Sequence, residues 1–101
     1  MLGISPSAKM IEKIKTSKQL ERHIKGAANH WRIEILFLIQ KNGGITLEDI
    51  NARLDGNVKT VSEHVRKLSQ AGLVNKKYRG REVEHHLSPY GERFYLFLKS
   101  F

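Results

Sequence analysis

The most constraining feature of this sequence is a pair of short helical patterns, joined by a tight turn, in residues 46–71. The first pattern has Thr46 as a candidate N-cap and places Ile50 and Leu54 on one face. In the turn Asp55-Gly56-Asn57, either Gly56 or Asn57 can adopt a positive φ. The second pattern has apolar residues at helical spacing before a glycine ends it: Val58, Val61, Val65 and Leu68. Two short helices joined in this way predict a helix-turn-helix.

The second of these helices has a polar and basic face opposite its apolar residues. A helix of this size fits the major groove of DNA, with the N-terminal half of the helix at the base edges. Thr60 and Ser62 can bond to bases or phosphates, and Arg66 can contact guanine or a phosphate. Glu63 can either accept a hydrogen bond from cytosine or pair with a lysine four residues away. We favour the ion pair, with Lys59 or Lys67 as the partner.

The charge of the chain is large and unevenly distributed. The 101 residues suffice for one domain with a modest core, and 18 Lys and Arg against 10 Asp and Glu give a net charge of +8. Such a balance favours a polyanionic partner, either nucleic acid or an anionic membrane. Between residues 59 and 81, where Glu63 is the only acid, lie seven cations: Lys59, Arg66, Lys67, Lys76, Lys77, Arg79 and Arg81.

Residues 73–88 predict a β-hairpin with a basic tip. Val83, His85 and Leu87 alternate with polar residues, and Gly80 gives the turn between two arginines its conformational freedom. The basic side chains of such a hairpin can reach the DNA backbone or minor groove beside the helix: Lys76, Lys77, Arg79 and Arg81. The alternative is a merely polar turn, which we consider weaker directly after a helix-turn-helix.

Helices are predicted on both sides of this unit, so the chain is mainly α with a small β-hairpin. A first helix spans residues 6–28, with Ser5 as its cap, and its lysines most simply form a solvated face. The second runs from Asn29 to Asn42-Gly43-Gly44 and is apolar almost all round, which predicts a central position. The last helix covers residues 89–101. The predicted order in a single domain, residues 1–101, is helix-helix-helix-helix-strand-strand-helix.

The last helix carries five of the eight aromatic residues of the chain. A domain this small has little room to bury them beside an apolar second helix, and aromatic patches of this kind mark interfaces. We therefore predict that residues 6–28 and 89–101 form a homodimer interface, with these residues in contact: Ile11, Ile14, Tyr90, Phe94, Phe97, Leu98 and Phe101.

Three stretches of the chain together resemble a known family. NHWRIEILFLIQKNGGITLEDINARL, TVSEHVRKLSQAGLV and RGREVEHHLSPYGERF are similar to winged helix-turn-helix transcriptional regulators of the MarR/ArsR superfamily, closest to the ArsR-like group. The matching positions are Arg32, Ile35, Leu36, Ser62, His64, Leu68, Ala71-Gly72-Leu73-Val74, Gly80 and Arg81. The resemblance covers about residues 28–95. It implies dimeric, usually repressive, DNA binding, with Ser62 and His64 in or near the major groove.

The sequence departs from the metal-sensing members of that group. The resemblance implies that those members bind their metal through a Cys-containing motif on the third helix, or through acidic and His residues of the last helix. This chain has no Cys, its last helix offers only Glu92, and its histidines are scattered: His23, His30, His64, His85 and His86. We expect no metal and no cofactor. Of the histidines, we expect His85 to be packed in the wing, His86 to be exposed and His30 to lie in the first turn of a helix.

Catalytic function is not supported by any motif. The chain lacks a glycine-rich phosphate loop, and Ser62 and His64 are two residues apart on a helix and do not face each other. We therefore expect a protein that is not an enzyme. Without an 18-residue apolar run or a signal peptide, we expect it in the cytoplasm, associated with the nucleoid when bound to DNA.

The function that these patterns favour is sequence-specific binding of double-stranded DNA by a homodimer that regulates transcription. Nothing in the pattern identifies an effector. A winged helix that binds a protein instead of DNA is the first alternative, since the fold alone does not decide between them. Membrane association through the first helix is the second, although its apolar stripe is weak. The predicted DNA contacts are Thr46, Lys59, Thr60, Ser62, Glu63, His64, Arg66, Lys67, Lys76, Lys77, Arg79 and Arg81.

Overall fold

The computed structural model describes residues 15–101. Within this range five helices and one antiparallel hairpin follow each other in the predicted order, so the predicted winged-helix architecture is confirmed. The elements are α1 (Ser17–Ala27), α2 (His30–Lys41), α3 (Leu47–Leu54), α4 (Val58–Gln70), β1 (Val74–Arg79), β2 (Glu82–Leu87) and α5 (Pro89–Lys99). Two predicted interface residues, Ile11 and Ile14, and the predicted cap Ser5 lie outside the described residues.

Helix α1 begins later than the sequence pattern predicted. Thr16 is in an extended conformation, and its hydroxyl accepts a hydrogen bond from the Gln19 N–H at 3.2 Å. The Gln19 side chain accepts in turn from the Thr16 N–H at 2.9 Å. A reciprocal capping box of this kind starts a helix. The prediction of one unbroken helix over residues 6–28 is therefore wrong at Thr16.

The other helix starts are those that the sequence predicted. Asn29, Thr46, Asn57 and Ser88 each accept a hydrogen bond from a backbone N–H in the first turn of the helix that follows. The turn between α3 and α4 differs in one detail, because Asp55 takes the left-handed conformation at φ 52° instead of Gly56 or Asn57. Asp tolerates this region because its short side chain can hydrogen-bond locally.

The core forms around α2, as its apolar pattern predicted. The buried apolar side chains come from the four helices α1 to α4, from the loop residues next to them and from the start of β1: Ala27, Ile35, Leu36, Ile39, Ile45, Ile50, Val61, Val65, Leu68, Ala71, Leu73 and Val74. Two expectations fail at the edges of this core. Val58 is 57% exposed, since it lies in the first turn of α4 beyond its buried face, and Trp31 and Phe37 are 39% and 38% exposed.

Two glycines allow the outer helices to pack closely against the helix-turn-helix. A Cβ atom on Gly26 of α1 would overlap the Ala71 side chain at the end of α4. A Cβ atom on Gly91 of α5 would overlap the Leu73 carbonyl oxygen. Helices α1 and α5 are thus both fixed against the segment that links α4 to the hairpin.

The hairpin is anchored to the loop between α2 and α3 through His85. The His85 N–H and ring Nδ1 both donate to the Ile45 carbonyl at 3.0 Å, and the Gly44 N–H donates to the His85 carbonyl at 2.9 Å. His85 is buried, as predicted. The hairpin therefore has a fixed position beside α3 and α4. None of the helices within residues 15–101 is long and apolar enough to cross a membrane.

Candidate nucleic-acid interface

Helix α4 has a buried face and an open one, as its spacing predicted. Val61, Val65 and Leu68 are buried against the core. The polar and basic residues of the open face are exposed: Lys59, Thr60, Ser62, Glu63, Arg66 and Lys67. Because Asn57 caps this helix through the N–H groups of Lys59 and Thr60, its first turn is well defined. The face can therefore be presented to a groove as a rigid unit.

Glu63 pairs with a different residue from the one that the sequence favoured. Its carboxylate binds the Arg66 guanidinium through both oxygens, with Arg66 Nε 3.1 Å from Oε1 and Nη2 in contact with Oε2. This hydrogen bond lowers the pKa of Glu63. Arg66, three residues after Glu63, has a planar guanidinium that can donate two parallel hydrogen bonds to one carboxylate, which a lysine cannot do. This explains why Glu63 pairs with Arg66 and not with Lys59 or Lys67. In the free protein the charge of Arg66 is thus partly compensated.

His64 lies at the edge of the open face, half-buried between α4 and the start of α2. It lines a small cavity of about 150 Å³ together with Trp31 and Thr60. Burial lowers the pKa of His64, and the positive charge of Arg32 lowers it further. A neutral, half-buried imidazole is better placed to fix α4 against α2 than to contact bases.

A cleft of about 590 Å³ separates α4 from the hairpin and the start of α3. Ser62 and Arg66 line it on the α4 side, and Lys76 and Arg81 line it on the hairpin side. Thr46 lies at its end, where the hydroxyl accepts from the Asp49 N–H at 3.2 Å. The structure thus brings five of the predicted contact residues into one cleft. Its three cations share the lining with three carboxylates, those of Glu48, Asp49 and Glu82.

The hairpin presents its cations on two different faces. Side chains alternate along a strand, so Lys76 lies on the cleft side, while Lys77 and Arg79 lie on the opposite side. There Arg79 Nε is 3.1 Å from a carboxylate oxygen of Glu84. Glu82 and Glu84 lie just beyond the basic stretch of residues 59–81. The wing is therefore less basic than the sequence indicated.

Tyr78 is a candidate contact residue that the sequence reasoning missed. It is 72% exposed and lines the cleft between Lys76 and Arg81. Its hydroxyl can donate a hydrogen bond to a phosphate. The signal was present in the sequence as an isolated aromatic residue in an otherwise polar strand.

A second surface, on the outer helices, is apolar. The structure divides the predicted aromatic stripe of α5: Phe94 and Leu98 pack against the core, whereas Tyr90, Phe97 and Phe101 are 42%, 55% and 91% exposed. Together with Leu20 and Ile24 of α1, Tyr90, Phe94 and Phe97 line a groove of about 800 Å³ between the two helices. We call this surface the α1/α5 groove.

The histidines and carboxylates within residues 15–101 do not form any group of three or more that could hold a metal ion. His85 and His86 are adjacent in β2 and belong to opposite faces of the hairpin. His30 is the first residue of α2, as expected. His86 is only partly exposed, because it lies beside Glu84 with Nε2 3.3 Å from a carboxylate oxygen.

A family model for winged helix-turn-helix DNA-binding domains matches residues 30–75, which contain α2, α3, α4 and the start of β1. Among curated protein sequences, none matches this chain.

Several solved structures share the fold over most of the chain. The homodimeric winged helix-turn-helix DNA-binding domain of a possible ArsR-family transcriptional regulator from Mycobacterium bovis has a TM-score of 0.74 at 23% identity, covering 95% of this chain and 83% of that one. HlyU from Vibrio cholerae has a TM-score of 0.74 at 26% identity, covering 83% and 91%. The transcriptional repressor PagR of Bacillus anthracis has a TM-score of 0.73 at 21% identity, covering 80% and 93%.

Proposed function

We propose that this chain, a winged helix-turn-helix transcriptional regulator of the ArsR-like type, binds specific sites in double-stranded DNA as a homodimer. Helix α4 enters the major groove, and the hairpin contacts the flanking backbone or minor groove. The observation that carries the proposal is the open face of α4, where polar and basic side chains stay exposed while Val61, Val65 and Leu68 fix the helix in the core.

The contact residues have different roles in this proposal. Ser62 and Arg66 lie on the open face next to the cleft and contact base edges. Lys59, Thr60 and Lys67 contact phosphates around the same helix. On the hairpin, Lys76, Tyr78 and Arg81 face the cleft and contact the backbone, whereas Lys77 and Arg79 contribute only long-range attraction.

The homodimer is supported by the α1/α5 groove and by the size of the DNA-binding unit. One helix and one hairpin read only a few base pairs, and two copies related by a two-fold axis read an inverted repeat with half-sites about 10 base pairs apart. The exposed Phe97 lies on α5 and the exposed Phe101 lies two residues beyond its end at Lys99, both outside the helix-turn-helix. The similar domain from Mycobacterium bovis is homodimeric.

The proposal is tested by selecting bound fragments from a pool of random duplexes at low salt. We expect an inverted repeat, and we expect Ser62→Ala and Arg66→Ala to change the preferred bases, costing about 1–3 kcal/mol on the selected site. Lys41→Ala, at the far end of α2, is the matched control and leaves the preference unchanged. Failure to retain any duplex at low salt would overturn the proposal and favour a winged helix that binds protein.

A further inference from the structure

We propose that a second basic surface, formed by Arg22, Lys25, Arg32 and Lys67, binds the DNA backbone on the side of α4 opposite the hairpin. This inference rests on the proposed function and adds a phosphate-binding site to it. We call the surface the α1–α2–α4 basic patch. Of its four cations, only Lys67 lies in the region from which the sequence predicted DNA contacts.

The patch is assembled by three helices that are distant in the sequence. Arg22 and Lys25 from α1, Arg32 from α2 and Lys67 from α4 line one depression of about 290 Å³. The close approach of α1 to α4 at Gly26 and Ala71, which are also in its lining, brings these side chains together. Among the described residues that line it, none is acidic.

The positive charge of the patch is poorly compensated within the described part of the chain. Arg32 Nε is buried and lacks a hydrogen-bond partner there. Burial is the main cause that lowers the pKa of the neighbouring His64; the positive charges of Arg32 and Lys67 lower it further, and Glu63 acts in the opposite direction. Lys25 pairs with Glu21 at 3.4 Å, but both side chains are mostly exposed and such pairs contribute little stability. An anion is therefore attracted to this surface.

The position of the patch identifies the anion as the backbone of the same DNA. The open face of α4 has two flanks: Ser62 and Arg66 line the cleft toward the hairpin, and Lys67 lines the patch toward α1 and α2. A helix inserted in a major groove about 12 Å wide has a phosphate backbone on each side. The hairpin serves one side, and the patch is continuous with the DNA-facing surface on the other side.

The experiment measures DNA affinity against salt concentration for the full chain. Each phosphate contact contributes about 0.9 to the slope of log affinity against log salt, so a lost contact removes roughly a threefold to fourfold difference between 50 and 200 mM salt. The double variant Arg22→Gln/Lys25→Gln changes only exposed residues of α1. We expect it to flatten the slope by about 0.9 per lost contact in each protomer and to weaken all duplexes similarly, without changing the preferred bases.

Two further variants make the result decisive. Arg32→Gln is expected to flatten the slope in the same way. Its circular dichroism and unfolding midpoint show whether this variant remains folded. If it is unfolded, the test rests on the α1 double variant alone. Lys41→Gln is the control for the loss of a cation elsewhere. A wild-type slope in the double variant, equal to that of the control, would overturn the patch while leaving the proposed function intact. A wild-type protein that binds no duplex would overturn both.

Discussion

At the level of single residues, the ion pair between Glu63 and Arg66 bears on the proposed DNA binding. The two side chains are about half exposed and joined through both carboxylate oxygens. A DNA phosphate or base approaching Arg66 must compete with this carboxylate, and Glu63 itself repels the backbone. We therefore expect the pair to lower the general affinity for DNA, and we expect release of Arg66 at a suitable site to favour specific over non-specific binding.

Glu63→Gln is expected to raise the affinity for non-specific duplexes by several-fold, because it removes a negative charge and replaces the ion pair with Arg66 by a weaker neutral contact. The measurement is fluorescence anisotropy with a labelled duplex of arbitrary sequence, with Glu34→Gln on the exposed surface of α2 as the control. If Glu63 instead accepts a hydrogen bond from cytosine, the variant will lose affinity for the selected site and gain little elsewhere.

His85 makes the stability of the fold depend on pH. Burial lowers its pKa from the usual 6.5, and this outweighs the opposite effect of the hydrogen bond to the Ile45 carbonyl. The unfolded chain takes up a proton near pH 6.5, while the folded chain does so only at lower pH. The contribution of His85 to the free energy of unfolding is therefore complete above about pH 6.5 and is lost as the pH falls below it.

The expected result is a fall in the urea midpoint of the wild type between pH 7.5 and pH 5.5 that is smaller in His85→Asn. Asparagine can still donate to the Ile45 carbonyl but does not titrate. His86→Asn, at the neighbouring position on the other face of the hairpin, is the control and keeps the wild-type response. Equal shifts in the wild type and His85→Asn would show that another group causes the pH dependence.

At the level of elements, the packing of α1 against α4 depends on Gly26. By helix propensity alone, Gly26→Ala would stabilise α1 by up to about 1 kcal/mol. The added methyl would overlap Ala71, so we expect a net destabilisation of about 1–3 kcal/mol. Chemical denaturation of Gly26→Ala, of the exchanged pair Gly26→Ala/Ala71→Gly and of the loop control Gly43→Ala tests this. Recovery is expected in the exchanged pair, and a stabilised Gly26→Ala would contradict the close packing.

The elements were predictable from the sequence where their determinants are local. Asn29, Asn57 and Ser88 were recognisable as caps because a cap needs only its own side chain and the next three N–H groups. The Thr16–Gln19 capping box was equally local but lay within an apparently continuous helical pattern. By contrast, the contact between Gly26 and Ala71, and the grouping of Arg32 with Lys67, join distant parts of the chain, and no local pattern specifies them.

The contact surface was predictable to a similar extent. The open face of α4 followed from helical spacing, and the resemblance to winged helix-turn-helix regulators is confirmed. The partner of Glu63 was not predictable, because on a helix the side chains three and four residues away are both close enough to pair with its carboxylate. The individual DNA contacts stay predictions.

At the level of the whole molecule, the α1/α5 groove is predicted to hold two copies together. Phe97 and Phe101 are exposed, and covering each such ring contributes on the order of 1.5–3 kcal/mol. We expect Phe97→Glu/Phe101→Glu to give a folded monomer with reduced affinity for an inverted repeat, because the two half-sites are no longer coupled. Sedimentation velocity together with circular dichroism checks both properties. An unfolded variant would show instead that these rings stabilise a single chain.

In the proposed function, two copies of this chain bind one DNA duplex through α4. The most direct measurement is the sedimentation of a labelled duplex, carrying the selected inverted repeat, in the presence of the wild-type protein at 50 mM salt. We expect a complex of two protomers per duplex that dissociates steeply as the salt is raised to 200 mM. A duplex that sediments as free DNA at tens of micromolar protein, or a complex with a single protomer, would contradict it.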